Sequence, residues 1–393
     1  MATSIQSYSR EEIVTDILLT RLPVRSLLRF KCVCKSWQDL IKSPDFIKKH
    51  FSSKSSRPRL CICKFGVNYT PQPPLRAINL FLFPEKIIAG IVPSRQSIFR
   101  WEDVSDFRAI YGPVNGLFLL QKGFFLCNVR FAWWNPATKE CRIIPMVSFE
   151  LQRFFDEHEN VVGIGYDAVS QDYKVLSLRT YMNDEKREVH PKVFAAIYSL
   201  KNDSWKHIEP NFPYNNSLCA SLGCTHLNGV YYWLCVTKDN VYIISTFDFT
   251  TEMFGEMEGP PIPYDHWGAL MLRGGSLAAM SCSEMAQPMT SFYDIWARIG
   301  ENNWIKVVTV NPPITAHWPL GIWEYDKYIY EMTQTYNLVY YDHTTKQVTD
   351  FGLNFSNIGS GSVWPISYKE SLVPINRENP TEQDNIEYFF AKF

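Results

Sequence analysis

The sequence predicts a mostly β protein in which a small helical segment precedes a ring of similar β units. Three observations carry that expectation. Aromatic residues make up 15% of the chain and prolines number 24, a mixture that suits many short strands broken by turns. Between Glu11 and Phe51 apolar residues recur at steps of three and four, the helical spacing. Beyond residue 58 two turn signals alternate with an interval near 50 residues. At 393 residues the chain is long for one ordinary core, so two domains or one large repeat architecture is expected.

The front of the chain, MATSIQSYSREEIVTD, is polar and acidic without a cleavable apolar core, and no run of about 18 uncharged apolar residues occurs. A cytosolic or nuclear protein with no membrane partner is expected. Ile13, Ile17 and Leu18 mark one helix, and Leu27, Phe30, Cys34, Trp37 and Ile41 a second. Pro23 separates the two because it cannot continue the first yet can sit near the start of the second. Ser43-Pro44 stops the second. Leu22, Leu27, Leu28, Val33 and Trp37 cover more than one helix face, and about 40 residues bury little core alone. Either this chain's own β domain or another protein must cover the remainder.

The ten cysteines are scattered, so reduced and mostly buried thiols are expected. On one helix Cys32 and Cys34 would point roughly 200° apart and could not share a metal. Cys61 and Cys63 would alternate onto one face of a strand, with no matching histidines nearby. No metal and no cofactor are expected. Residues 21–59 hold eleven Lys or Arg against Asp39 and Asp45, a net +9, which leaves −10 for the rest of a chain of formal charge −1. A basic head sits on an acidic body.

In the repeat region one signal precedes an aromatic-rich strand, as in NGLFLL (115–120), NGVYYWL (228–234) and DKYIYEM (326–332). The other lies inside a hairpin, as in WWNPATKECRII (133–144), IYSLKNDSWKHI (197–208) and YYDHTTKQVTDF (340–351). Taking Asn135, Ser199, Asp248, Asp294 and Asp342 as markers, the intervals are 64, 49, 46 and 48, the spacing of a kelch-like β-propeller. Five units are complete. RLCICKF (59–65) and INLFLF (78–83) lack partners at one end, and GSVWPISY (361–368) and SLVPI (371–375) lack them at the other. Joined, they supply a sixth blade and close the ring, hiding the sheet edges. Trp205 is expected between blades.

ILLTRLPVRSLLRFKCVCKSWQDLIKSPDFIKKHF resembles an F-box of the plant type in its Leu-Pro pair, Leu-Leu pair, Val-Cys-Lys-x-Trp turn and Ser-Pro-x-Phe exit. NPATKECRIIP, GIGYDAVSQDYKVLSL and IYSLKNDSWKHI are similar to the F-box-associated domain that follows such F-boxes. The resemblance implies an F-box at 8–54, a propeller at 58–380 and a tail at 381–393. It implies docking on a Skp-family adaptor, and through it a cullin, by Leu22, Pro23, Leu27, Leu28, Val33, Cys34 and Trp37. One departure is Ser9-Arg10, where the family usually carries another Leu-Pro pair. S-locus F-box proteins, which recognise basic ribonucleases, are similar in appearance, and an acidic body would suit such a target. The long segments MVSFELQRFFDEHEN (146–160) and RTYMNDEKREVHPK (179–192) are the expected recognition loops, with Arg153, Asp156, Glu157, Asp184, Glu185 and Arg187 as candidate contacts.

Other chemistries fit less well. Gly163-Ile-Gly165-Tyr-Asp-Ala168 imitates a dinucleotide fingerprint but is followed by the strand-like YKVLSL in place of a helix, so its glycines are expected to serve a crowded strand near the propeller axis. GGSLA (274–278) lacks the second flanking glycine of a nucleophile elbow, and no histidine pair has metal-ligand spacing. A non-catalytic substrate receptor of a ubiquitin ligase is the expectation. The alternatives are a propeller enzyme of oxidase or glycosidase type, and an RNA-binding protein using the basic arm. Unbroken apolar spacing through the basic stretch disfavours nucleic acid.

Overall fold

A computed structural model describes residues 19–53, 57–68, 75–84, 94–101, 107–123, 129–147, 155–183, 192–211, 224–237, 239–263, 266–283, 292–300, 303–314, 316, 319–356, 363–377, 384 and 386–390. Six four-stranded antiparallel sheets follow a helical head. Blade 2 is β4 (Phe107–Val114), β5 (Leu117–Lys122), β6 (Arg130–Asn135) and β7 (Glu140–Ile143). Blade 3 is β8 (Phe155–Asp167), β9 (Asp172–Asn183), β10 (Lys192–Ser199) and β11 (Ser204–Ile208). Blade 4 is β12 (Cys224–Leu227), β13 (Val230–Val236), β14 (Tyr242–Asp248) and β15 (Met253–Glu258). Blade 5 is β16 (His266–Arg273), β17 (Ser276–Ser283), β18 (Tyr293–Ile299) and β19 (Asn303–Val310). Blade 6 is β20 (Gly321–Trp323), β21 (Lys327–Glu331), β22 (Asn337–Asp342) and β23 (Gln347–Asn354).

Blade 1 combines both ends of the repeat region. Its order is β24 (Val363–Tyr368), β1 (Arg59–Asn68), β2 (Leu75–Leu82) and β3 (Ser94–Trp101), with Arg59 opposite Tyr368 and Lys64 opposite Val363. The first strands β4, β8, β12, β16, β20 and β24 touch one another around the ring and are therefore innermost. The expected closure is present. SLVPI (371–375), expected as a strand, is an extended segment outside the sheets. Its Ser371 and Val373 carbonyls bond to the Asn135 side chain, so they are satisfied without a ladder.

Antiparallel order fixes two faces. The turns between first and second strands and between third and fourth strands share one side, the turn face. The connections between second and third strands and the crossovers between blades share the opposite side, the loop face. On the turn face Asn135, Asp248 and Asp342 each accept bonds from backbone N–H groups two and three residues on. The residue before the fourth strand takes a positive φ in blades 2, 3, 4 and 6, at Lys139, Asp203, Glu252 and Lys346. Asp294 does not mark such a turn. It lies within β18 opposite Thr309, whose hydroxyl it accepts at 2.5 Å, and the reversal falls at Gly300, φ +67°.

Blades meet through interdigitated side chains. Cys61 and Cys63 face blade 2 beside Phe118 and Trp134, whereas Leu60 and Ile62 face blade 6 beside Ile329 and Phe351. Trp205 lies 6.3 Å from the Phe131 ring of blade 2 and donates its Nε1 hydrogen to the Pro145 carbonyl at 2.6 Å. A Cβ on Gly163 would stand 2.7 Å from the Tyr231 ring and one on Gly165 2.0 Å from Phe249. The two glycines admit blade 4 against the innermost strand of blade 3, in a fold with no helix behind them.

The head consists of a 3-10 turn (Leu19–Arg21) and helices α1 (Val24–Phe30), α2 (Lys35–Lys42) and α3 (Pro44–Ser52). The expected single helix from Leu27 to Ile41 is broken at 31–34. A continuous helix would hold Val24 and Ile41 roughly 25 Å apart; the break brings both into one cluster with Leu27, Phe46 and Ile47. Cys34, in extended backbone at φ −158°, therefore precedes α2 and does not share a helix with Cys32. Ser43 ends α2 and also caps α3, its hydroxyl accepting from Phe46 N at 3.3 Å. Residues 8–18, including Ser9-Arg10 and the first expected helix, lie outside the described residues. Near the C-terminus a short helix α4 (Ile386–Phe390) packs on β7, the outer strand of blade 2, and buries Phe389.

Candidate functional site

Leu22 and Pro23 form the corner from which α1 starts. Pro23 holds φ at −58°, and its carbonyl accepts from Ser26 N and Leu27 N at 2.9 and 3.2 Å. The buried His50 ring of α3 donates from Nε2 to the Leu22 carbonyl at 2.9 Å and stacks on Phe46. Burial pulls the His50 imidazole below its ordinary pKa, a fall only partly opposed by that hydrogen bond. The neutral ring therefore fixes the corner.

The candidate adaptor residues separate by exposure. Leu27 is fully buried and supports the corner from within. Leu22, Leu28 and Trp37 are half-buried, and Trp37 lies 5.4 Å from the Phe30 ring. Pro23, Val33 and Cys34 are exposed, Val33 at 61%. An isolated exposed valine is unremarkable. Leu22, Leu28 and Trp37, by contrast, pack half-buried against the core of the head.

The remaining side of that head is closed by the chain itself. Leu372, 2% exposed, enters the cluster of Val24, Leu27, Ile41, Phe46 and Ile47, with Ala137 and Val373 against its margin. Lys369 donates to the Ser53 carbonyl at 3.3 Å and lies over the Phe51 ring. All these contacts are on the turn face, beneath blades 1 and 2. Leu372 was hidden in the sequence because SLVPI reads equally well as a short strand.

Of the candidate target residues, Asp156 and Glu157 fall toward the opposite face. Asp156 and Glu157 belong to β8, paired with Met182 and Tyr181, so the expected 146–160 loop becomes strand from Phe155 onward. Residues 179–183 likewise continue β9, and β10 begins at Lys192. The β8–β9 hairpin thus lengthens blade 3 toward the loop face, where alternating pairing extends the sheet before any loop starts. Arg153, Asp184, Glu185 and Arg187 lie outside the described residues.

Charge inside the ring is paired. Lys174 contacts Asp167 and Glu252, each at 3.0 Å, and donates to the Phe249 carbonyl. Burial alone would raise the Asp167 carboxyl, but bonds from Ser170 and Lys174 hold it well below the carboxylate range. Asp203 accepts from Tyr198 and pairs with Arg142 and Arg377, and Arg377 also meets Asp384. These groups join blades and tail and pair with one another, although the buried Nε of Arg142 has no hydrogen-bond partner among the described residues. Among the described residues no three His, Cys, Asp or Glu side chains are grouped to hold a metal ion, and no helix is long and apolar enough to cross a membrane.

Comparison with known proteins agrees with this division. Residues 15–49 match the F-box domain model, and residues 111–375 match the F-box associated beta propeller domain model. The F-box protein At3g08750 of Arabidopsis thaliana is 29% identical over 63% of this chain and 58% of its own length. The F-box/kelch-repeat protein At3g17530 of the same plant is 26% identical over 64% of this chain and 60% of its own. The matches therefore span about three fifths of these two relatives. F-box protein At1g30790, also of Arabidopsis thaliana, is 26% identical over 79% of this chain and 76% of its own. A solved GH43 endo-arabinanase from Bacillus licheniformis covers 67% of this chain and 98% of its own at 7% identity and a TM-score of 0.33, too distant to bear on function. With its helical head, six-bladed ring and a propeller-model match over two thirds of its length, the chain belongs to the family of F-box proteins that carry the F-box associated beta propeller domain.

Proposed function

We propose that this protein is the substrate-recognition subunit of an SCF (Skp-cullin-F-box) ubiquitin ligase. The observation that carries the proposal is the opposed arrangement of its two surfaces: the head stands on the turn face, and the variable connections emerge on the loop face. The Leu22-Pro23 corner, with Leu28, Val33, Cys34 and Trp37, docks a Skp-family adaptor, and Leu27 supports it from within. The loop face, including the extended β8–β9 hairpin, holds a target protein. No bond chemistry belongs to this chain; it acts by proximity, placing target lysines near the charged ubiquitin carrier. The formal charge of the chain beyond residue 59, −8 from 27 Lys or Arg against 35 Asp or Glu, suits a basic target, and ribonucleases of the class recognised by S-locus F-box proteins fit that description.

Reconstitution with a recombinant Skp-family adaptor and cullin tests the proposal. A stoichiometric complex on size exclusion is expected, together with target capture that is lost when residues 184–191 and 148–154 are replaced by short turns. Failure of the folded chain to join the adaptor would refute the proposal. Dominant co-purification of RNA would favour the basic-arm alternative.

A further inference from the structure

We propose that Asn135 and Leu372 form a wedge that locks the helical head onto the turn face, so that the adaptor-docking corner and the loop face keep one fixed relation; the functional consequence rests on the reading of the chain as a ligase receptor. Asn135, the last residue of β6 and paired with Glu140 of β7, is completely buried. Its Nδ2 donates to the carbonyls of Ser371 and Val373 at 3.1 and 2.9 Å, and its Oδ1 accepts from Ala137 N and Thr138 N at 3.0 and 3.4 Å. The carboxamide thereby uses both donors and both acceptor directions. The two carbonyls flank Leu372, so one side chain of blade 2 grips the residues on either side of the leucine that enters the head. Ala137, two residues beyond Asn135, packs against the cluster that Leu372 forms with the head.

Neighbouring contacts hold the same segment on both sides. Ile375 N donates to Glu140 Oε2 at 3.0 Å, and Arg59 pairs with Glu370 at 3.2 Å. Gly116, φ +81°, lets the turn between β4 and β5 approach closely; a Cβ there would stand 2.5 Å from the Lys369 carbonyl oxygen. From Leu372 the packing continues through Phe46 to the His50 ring and its bond to Leu22, the docking corner itself. Covalently, head and ring are joined only through residues 53–58, between α3 and β1. A free segment of that length samples end-to-end distances of roughly 13 Å. Proximity catalysis loses efficiency when a tethered group wanders in this way. The wedge supplies a second attachment, and the sequence places it after the strand that closes the ring, so the head is locked only once the ring is complete.

Distance measurement between spin labels tests the wedge in the full chain. Nitroxides are placed by Lys42→Cys on the head and Asp239→Cys on the loop face, with Cys32, Cys34, Cys127 and Cys219 changed to Ser. A narrow distance distribution is expected. Leu372→Ala and Asn135→Asp should each broaden it about twofold or more in a ring that still melts cooperatively, though at a lower temperature in Asn135→Asp, whose buried carboxylate would face two carbonyls, and Leu372→Met, which keeps the volume, should restore the narrow form. Asn135→Asp retains the turn acceptor and removes the two donations, so it isolates the grip on Ser371 and Val373. A distribution of parental width in either Leu372→Ala or Asn135→Asp, with the ring folded, would overturn the wedge. Adaptor binding is measured separately on the unlabelled parent; its absence would refute the receptor reading and leave the distance result intact.

Discussion

At the scale of single residues, side chains without freedom to adjust are the informative ones. Gly165 stands where a Cβ would meet the Phe249 ring at 2.0 Å, so Gly165→Ala should cost about 3 kcal/mol or more by overpacking, read as a lower denaturant midpoint. Its crowded setting was legible in the sequence, because the glycine pair lay in a strand pattern without the helix a nucleotide site needs. Asp294 was misread for a physical reason: an aspartate followed by a hairpin looks alike whether it accepts backbone N–H groups in the turn or a threonine hydroxyl across the ladder. The buried His50 and the half-buried His226 give the pH dependence. Burial holds His226 down to about 4 and lowers His50, so the folded state binds fewer protons than the unfolded chain below about pH 6.5. Stability should be full above that value and fall as pH drops, by on the order of 3 kcal/mol for His226 by pH 4. Glu252, Asp203 and Asp326 follow in a lower window. Burial raises their carboxyls, but bonds from Lys206, Arg377 and Arg273 respectively hold them below their ordinary values, and that stabilisation is lost as pH falls through and below the carboxylate range. Thermal melts between pH 7.5 and 3 should therefore decline in two stages, and His226→Gln should flatten the upper one.

Elements were legible where pattern and partner coincide within a short stretch. Hairpins of blades 2 to 6 could be located because both strands and their turn lie together in the sequence. The head was harder. Leu27, Phe30, Cys34, Trp37 and Ile41 keep helical spacing across a break, since two short helices folded onto one cluster bury the same side chains as one continuous stripe. SLVPI and the 146–160 segment show the opposite problem, in which a carbonyl grip or a longer hairpin decides the conformation from far away in sequence. The short helix α4 covers the outer strand of blade 2, and its Phe389 joins the cluster of Trp134, Cys141 and Tyr368. Truncation after Arg377 should expose that edge and cost about 2–4 kcal/mol through loss of the buried phenylalanine and its neighbours, while leaving the six blades assembled. Chemical denaturation followed by tryptophan fluorescence would detect it.

At the scale of the whole molecule, the blade count followed from what each end of the repeat region lacked. β24 supplies the innermost strand to β1, and Lys64, buried in blade 1, approaches Glu331 of blade 6 at 3.6 Å. Truncation before Val363 should therefore abolish the folded ring, as judged by loss of the cooperative melt. What the sequence could not reveal was which face carries the head, because that depends on the polarity of β1 and on Leu372 arriving from the other end of the chain. The central proposal is that the head is a docking surface completed by an adaptor, with Leu372 closing its core on the turn-face side. Calorimetric titration of a recombinant Skp-family adaptor into the full chain carrying Leu22→Ala with Pro23→Ala tests it most directly. Loss of buried apolar area and of the helix corner should weaken binding roughly a hundredfold or more, whereas neutralising Lys48, Lys49 and Lys54 should change mainly the salt dependence. Full-strength adaptor binding by the folded double variant would contradict the account.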